Sequence, residues 1–302
     1  MKWSLSFKIL DAVYLVLAII PIVFGIILKV LTTPATEGIS ITGALAYCKI
    51  NLPLGGFIIS ESIINSWLVI LSLFWLCLFL THGITVKGGS KRQHLCEWIV
   101  QTCENLVNTN MGEYFSGFAP FVASIMGLSA FSSLLTLVGL YPPTSDINIV
   151  GGWAVLVFIL ITYYKMKCGP WNYLKSFAEP VALLTPLNVI SEVATPLSMA
   201  FRHYGNVLSG SVISVLVGTA LGGLSNMILG KLGGFIGSIP LLRIGIPAVL
   251  SVYFDIFSGL LQAFIFAMLT MLYVSSAFPA ELYFQRKKNK INKNKTKKTE
   301  EN

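Results

Sequence analysis

The chain has 302 residues, of which 55% are hydrophobic and only 11% are Asp, Glu, Lys or Arg, and its mean hydropathy is +0.76. Soluble globular domains carry about 25% charged residues, so a water-facing enzyme or a free nucleic-acid-binding domain is excluded and the class is an integral membrane protein. The net charge of +8 then has to be explained by where the basic residues lie.

Apolar runs of about 20 residues read as membrane-spanning helices. The first, Leu10 to Leu31, follows Lys2 and Lys8. It is longer than the apolar core of a signal peptide and lacks an A-x-A ending, which favours a retained anchor over a cleaved leader. A second run covers Ile63 to Leu80. Beyond it, Leu95, Trp98, Ile99, Thr102, Leu106 and Val107 recur at helical spacing, with Gln93, Glu97, Gln101, Glu104 and Asn105 on another face. That pattern predicts an amphipathic helix on the cytoplasmic membrane surface, a water-soluble lid helix being the alternative. Phe118 to Leu140 and Ile149 to Tyr164 are further crossings, followed by two longer stretches, Leu187 to Leu221 and Phe235 to Ser275. The fold class is therefore all-α: about six membrane-embedded helices in one domain over residues 1–285, plus the surface helix. The Lys/Asn/Thr-rich tail of residues 286–302 has no apolar period and is expected to be disordered or loosely held by anionic headgroups.

Six crossings place both termini on one side. Lys2, Lys8, Lys87, Lys91, Arg92, Lys165, Lys167, Lys175 and eight basic residues from Arg286 onward fall there, against Lys49, Lys231 and Arg243 opposite. By the positive-inside rule the termini are cytoplasmic, so the charge surplus reports topology and requires no nucleic acid. Lys29, near a helix end, is expected to snorkel to the interface. The five cysteines, Cys48, Cys77, Cys96, Cys103 and Cys168, form no C-x-x-C, and His82, His94 and His203 are the only histidines. The cysteines read as packing residues, and no metal ligand set is visible.

Leu187 to Leu221 would extend roughly 50 Å against a hydrocarbon core of about 30 Å, so the last two helices must be strongly tilted or curved. Together they form a C-terminal helical hairpin over about residues 186–277, with Pro186, Pro196, Pro240 and Pro247 shaping its helices. On the first helix Ser191, Thr195, Ser198, Arg202, Asn206 and Ser209 fall at steps of three and four, on one face. On the second, Ser251, Asp255, Ser258, Gln262 and Tyr273 do the same. A glycine-rich turn around Lys231 to Gly234 brings Arg202 level with Gln262, and Asp255 level with Ser209. An ionised Arg in a bilayer costs about 2.5–3.5 kcal/mol on insertion scales and cannot shed its proton. Glu192 and Asp255 both lie too far along the helices to be close partners, so Arg202 is expected to await a carboxylate from another subunit. A structural pairing with either is the alternative.

The run Pro196-Leu-Ser-Met-Ala-Phe-Arg202-His-Tyr-Gly205-Asn206, followed by Leu261-Gln262-Ala-Phe-Ile-Phe-Ala-Met-Leu-Thr270-Met-Leu-Tyr273, closely resembles subunit a of the F-type ATP synthases. Pro143-Thr-Ser-Asp146-Ile-Asn148 looks like a further family element, and the resemblance covers about Ile63 to Ala277. It implies the stator half of an ion channel, conducting H⁺ or Na⁺ through two half-channels to the carboxylates of a rotor ring. The chain would perform no bond chemistry itself and need no cofactor. Its partners would be the ring of subunit c, the peripheral-stalk subunit b and the soluble ATPase sector, in the plasma membrane of a bacterium rather than an organelle inner membrane. Arg202 matches the family's essential arginine, and Asn206 and Gln262 match residues beside it. The family's acidic position nine residues after the arginine is Ser211 here, and a position that is histidine in some relatives is Asp255, which therefore becomes the candidate relay group. The acidic position fourteen before the arginine is Asn188, and Glu192 is its possible substitute. Asp146 could line the extracellular mouth or cap a helix. Ser198, Ser209, Ser211, Ser258 and Tyr273 are possible channel lining, whereas His203 is expected to pack. A secondary transporter binding an anion at Arg202 is the alternative function, although no internal repeat supports it. An intramembrane protease lacks a histidine on the facing stripe.

Overall fold

Among the described residues, six helices are long and apolar enough to cross a membrane. The computed structural model describes residues 5–32, 43–52, 55–85, 90–167, 169–178, 185–229 and 248–278, with single positions 183, 245, 280 and 283. The turn at Lys231 to Gly234, Pro240, Pro247, Cys168 and the tail of residues 286–302 lie outside them.

Helix α1 (Leu5–Thr32) runs beside α2 (Glu61–Thr81), its apolar length set by the first long run of the sequence. Between them stands an element the periodicity did not disclose, an antiparallel hairpin of β1 (Ala46–Leu52) and β2 (Gly55–Ser60). The hairpin leads straight into α2, whose first residue donates its backbone N–H to Leu45 (2.7 Å). Polar contacts pin α1 along its whole length. Asp11 meets His82 Nδ1 at 2.8 Å and Arg92 at 2.9 Å; Ser72 donates to the Ala18 carbonyl at 2.7 Å; Lys29 pairs with Glu61 at 3.2 Å. Lys29 thus does more than snorkel: it neutralises a carboxylate that is only 4% exposed.

The Ser90 hydroxyl caps α3 (Lys91–Met111) by accepting from the Gln93 N–H, and Gly112, at φ +82°, ends it. This helix has three faces where the sequence suggested two. Leu95, Trp98 and Ile99 are exposed, as an interfacial helix requires, but Val107 and Met111 turn into the core and Gln93 is buried on the Thr85 backbone. Next comes α4 (Ala119–Leu134), extended at both ends by 3₁₀ turns, Glu113–Phe118 and Leu135–Val138. Asp146 caps α5 (Ile147–Met166), and a short α6 (Pro170–Ala178) precedes the 45-residue α7 (Thr185–Leu229), which holds Pro196 well inside it. Helix α8 (Ala248–Ala277) opens with a widened π-helical stretch, Val252–Ser258.

The core forms around α8. Phe266, Ala267, Met271 and Val274 are almost fully buried against Val107 of α3, Val122 and Ile125 of α4, and Val157 and Ile161 of α5. At Gly259 a Cβ would stand 2.6 Å from that of Ser133, so only glycine allows α8 this close to α4. By contrast α7 lies mainly along α5 and meets α8 over a limited stretch. Successive spans alternate in direction, giving a near side, with Asp11, Arg92, Lys165 and Lys167, and a far side, with Lys29, Glu61 and the β-hairpin. On the near side Lys167 donates to the Tyr114 hydroxyl (2.8 Å) with Tyr164 and Phe278 around it. Burial pulls its ammonium down, but the Tyr114 hydroxyl and the surrounding phenols outweigh that and hold it above the ordinary 10.5.

Candidate functional site

Helical spacing along α7 produces one exposed polar stripe and one buried face. Ser191, Ser198, Arg202, Asn206 and Ser209 are exposed and Thr195 is half-buried, whereas Met199, Ala200 and His203 are buried. Around the stripe the surface is apolar, with Val193, Leu197, Phe201 and Leu216 all about half exposed. A cation thus stands in the middle of a surface otherwise suited to lipid or to another helix. Among the described residues Arg202 forms no ion pair.

One turn beyond Arg202, the Asn206 amide donates to Gln262 Oε1 at 2.8 Å, and Gln262 is only 2% exposed. The expected level was Arg202 with Gln262, so the register of the two helices holds to one turn. Farther along, Gly210 lies against Phe254, with a Cβ there 3.2 Å from the phenylalanine ring. Asp255 is therefore near the expected level of Ser209, and it accepts a hydrogen bond from Ser251 on its own helix. It makes no ion pair among the described residues.

Glu192 sits on the near side of Arg202, in a cluster of its own. Lys165 of α5 reaches it at 3.1 Å and the Tyr173 hydroxyl of α6 donates to it at 3.1 Å. Burial, with Glu192 adding to it, raises the Tyr173 phenol above its usual range. Asn188 instead donates to the Phe177 carbonyl (2.9 Å). The two carboxylates thus lie to either side of Arg202, Glu192 towards the near side and Asp255 towards the far side.

The remaining candidates separate from this group. Asp146 accepts from the Asn148 backbone and side chain as a helix cap. Ser209 and Ser211 donate to backbone carbonyls of their own helix. Tyr273 packs against the core, and Ser258 is half-buried in the π-helical stretch. Ser198 is exposed on the stripe. His203, adjacent to Arg202, points the opposite way: it is fully buried between Trp153 and Phe266, with Nε2 3.3 Å from the Ser129 hydroxyl. The i, i+4 pair Ser129 and Ser133 on α4 carried this signal in the sequence, since two hydroxyls one turn apart in an apolar helix mark a polar contact.

A second buried polar group was not foreseen. On the far side Glu61, Ser62 and Asn65 of α2 meet the loop before α5: Asn65 donates to the Tyr141 backbone carbonyl (2.8 Å), and the Tyr141 hydroxyl donates to the Ser145 backbone carbonyl (3.2 Å). Burial raises the Tyr141 phenol, and Asp146, Tyr204 and Glu61 add to the effect. Among the described residues no group of three or more His, Cys, Asp or Glu side chains could hold a metal ion.

Comparison with known proteins gives a consistent result. The family model described as ATP synthase A chain matches residues 63–275. ATP synthase subunit a of Bacillus pumilus is 34% identical over 210 residues, covering 65% of this chain and 83% of that protein. ATP synthase subunit a of Legionella pneumophila is 26% identical over 240 residues, covering 79% of this chain and 94% of that protein. The corresponding protein of Macrococcus caseolyticus is 30% identical over 216 residues, 67% of this chain and 83% of the relative.

Proposed function

The chain belongs to the ATP synthase A chain family, and from that premise we propose that it conducts ions past a rotor ring, with Arg202 as the fixed charge that separates two half-channels. The observation that carries this reading is the exposed guanidinium on the polar stripe of α7, which has no ion-pair partner among the described residues. A permanent cation in an apolar surface needs an anion from outside the chain. A ring of small helices, each presenting one carboxylate in turn, supplies it.

The electrostatics then give the cycle. An ion-loaded ring carboxylate that turns towards Arg202 is drawn into its charged form and releases its ion. The same guanidinium repels any cation taking a direct path between the two sides. The Asn206–Gln262 bond braces the turn that follows Arg202. Glu192, with Lys165 and Tyr173, would serve the cytoplasmic half-channel, and Asp255 with Ser251 the extracellular one. Each elementary charge moved through 100 mV yields about 2.3 kcal/mol, which rotation passes to ATP synthesis in the soluble sector. The translocated ion is H⁺ or Na⁺, the partners are the c-ring and the b stalk, and both termini face the cytoplasm of a bacterium. An anion transporter would need the same arginine, but membership of this family weighs against it.

The test is Arg202→Ala in the assembled complex. Ion-driven ATP synthesis falls to background while the subunits still co-purify; normal coupled synthesis in that variant would overturn the reading.

A further inference from the structure

His203 follows Arg202 directly, is fully buried, and touches three other helices at once. Its Nε2 lies 3.3 Å from the hydroxyl of Ser129 on α4, itself fully buried. Its ring stands edge-on to Trp153 of α5 and to Phe266 of α8, at centroid distances of 5.9 and 5.6 Å and interplanar angles of 90° and 81°. Nδ1 finds no hydrogen-bond partner among the described residues. A half-satisfied imidazole in an apolar interior is destabilising, and a leucine would fill the same place without that cost. What the imidazole adds is direction. Lipid tails are as apolar as leucine, so apolar contacts hold a membrane helix almost equally well at many rotational settings, whereas a polar contact between helices forms at one. Ser209 and Ser211 bond to carbonyls of α7 itself and fix no such setting. Asn206 does reach α8, but from the exposed stripe.

We propose that His203 is a positioning residue for Arg202: keyed to Ser129 in the slot between Trp153 and Phe266, it sets the rotational bearing of α7 and so the direction in which the guanidinium is presented. Successive residues stand about 100° apart on a helix, so a buried His203 leaves Arg202 facing outward. At the radius of about 5–6 Å of a helix with its side chains, a turn of about 20° moves a side-chain tip by about 2 Å. Misplacing a reacting group by about 1 Å can already cost about 100-fold in rate. The Asn206–Gln262 bond, one turn on and nearer the surface, supports the same bearing. The stator reading enters only in what the bearing serves; the bearing itself can be measured without rotation.

The experiment compares His203→Leu, His203→Gln, Ser129→Ala and the double variant Ser129→Ala/His203→Leu in the assembled complex. The readouts are ATP synthesis per assembled complex, thermal stability in detergent, and the distance distribution between nitroxide labels on Val215→Cys and Ser124→Cys. The labels are placed in a background with the five native cysteines replaced by alanine. Both labelled positions are exposed, and Val215 lies about 140° round α7 from Arg202, away from the polar stripe. His203→Leu and Ser129→Ala are each expected to lower synthesis by about tenfold or more and to broaden the distance distribution. His203→Gln, whose terminal amide reaches where Nε2 stands, keeps most of the synthesis and the narrow distribution. The double variant leaves neither partner orphaned, so its stability returns towards that of the parent, while its synthesis stays as low as in the single variants. Synthesis that recovers together with stability in the double variant overturns the proposal, because a merely structural contact would behave so. A distribution that neither single change broadens, or a His203→Gln as defective as His203→Leu, overturns it too. Should His203→Leu not assemble, Ser129→Ala, which removes a single oxygen, decides alone. If Arg202→Ala stays coupled, the stator reading falls, while the label distances still report whether His203 sets the bearing.

Discussion

Helices α1 and α7 both carry charge inside apolar sequence and handle it in opposite ways. On α1, Asp11 and Lys29 each find an oppositely charged partner in the same chain, one on each side of the membrane. On α7, Glu192 is paired near one end, yet Arg202, deeper in the helix, faces outward with no ion-pair partner among the described residues. A charge paired within the chain holds helices together. An unpaired charge at membrane depth costs stability until something else arrives, and it is there that function is expected to reside.

Substitutions can break this contrast in order of severity. Arg202→Ala has the largest effect, loss of coupled synthesis with assembly retained, because it removes the charge that has no internal role. Asp255→Asn comes next. It should slow ion flux through the membrane sector several-fold, and unchanged flux across the pH range would count against a relay. Asp11→Asn tests the opposite limb: synthesis per assembled complex is retained, while thermal stability in detergent drops by about 1 kcal/mol, since a partly exposed charge-assisted pair is worth little more. A coupled-rate defect in Asp11→Asn as deep as that of Asp255→Asn would erase the distinction. The smallest effect belongs to Lys167→Met. Because the folded state holds Lys167 above 10.5, its stabilisation is fully present below that value and fades as the pH climbs through the higher folded one. Melting curves at about pH 8 and about pH 11 should therefore differ less in the variant than in the parent.

Some of this was legible in the sequence because the bilayer imposes a length and an α-helix imposes a phase. The spans appeared where apolar runs lay, and the level of Gln262 against α7 came within one turn from counting residues alone. The spacing puts Val107 on the apolar face of α3 with Leu106, and Val107 is buried in the protein core; periodicity separates polar from apolar faces but cannot tell lipid from protein as the apolar neighbour. The β-hairpin escaped notice because Gly55 and Gly56 dilute the alternation of β2. Pairings such as Lys29 with Glu61 or His203 with Ser129 join distant segments, and no local pattern encodes them. Arg202 stood out because charge was so scarce around it.

The π-helical stretch Val252–Ser258 carries a further consequence. A π-bulge accommodates one residue more than the α-helical path it replaces, so the side chains on either side of it are out of phase with a continuous helix by about 100°. Deleting a single residue there would let the backbone close into an unbroken α-helix while Gln262 kept its seat against Asn206. Every side chain upstream, Asp255 and Ser251 among them, would swing to a different bearing. The stretch is thus an adjustable joint in the readout of the helix, through which one inserted or lost residue re-aims the Asp255 carboxylate and leaves the core around Phe266 undisturbed.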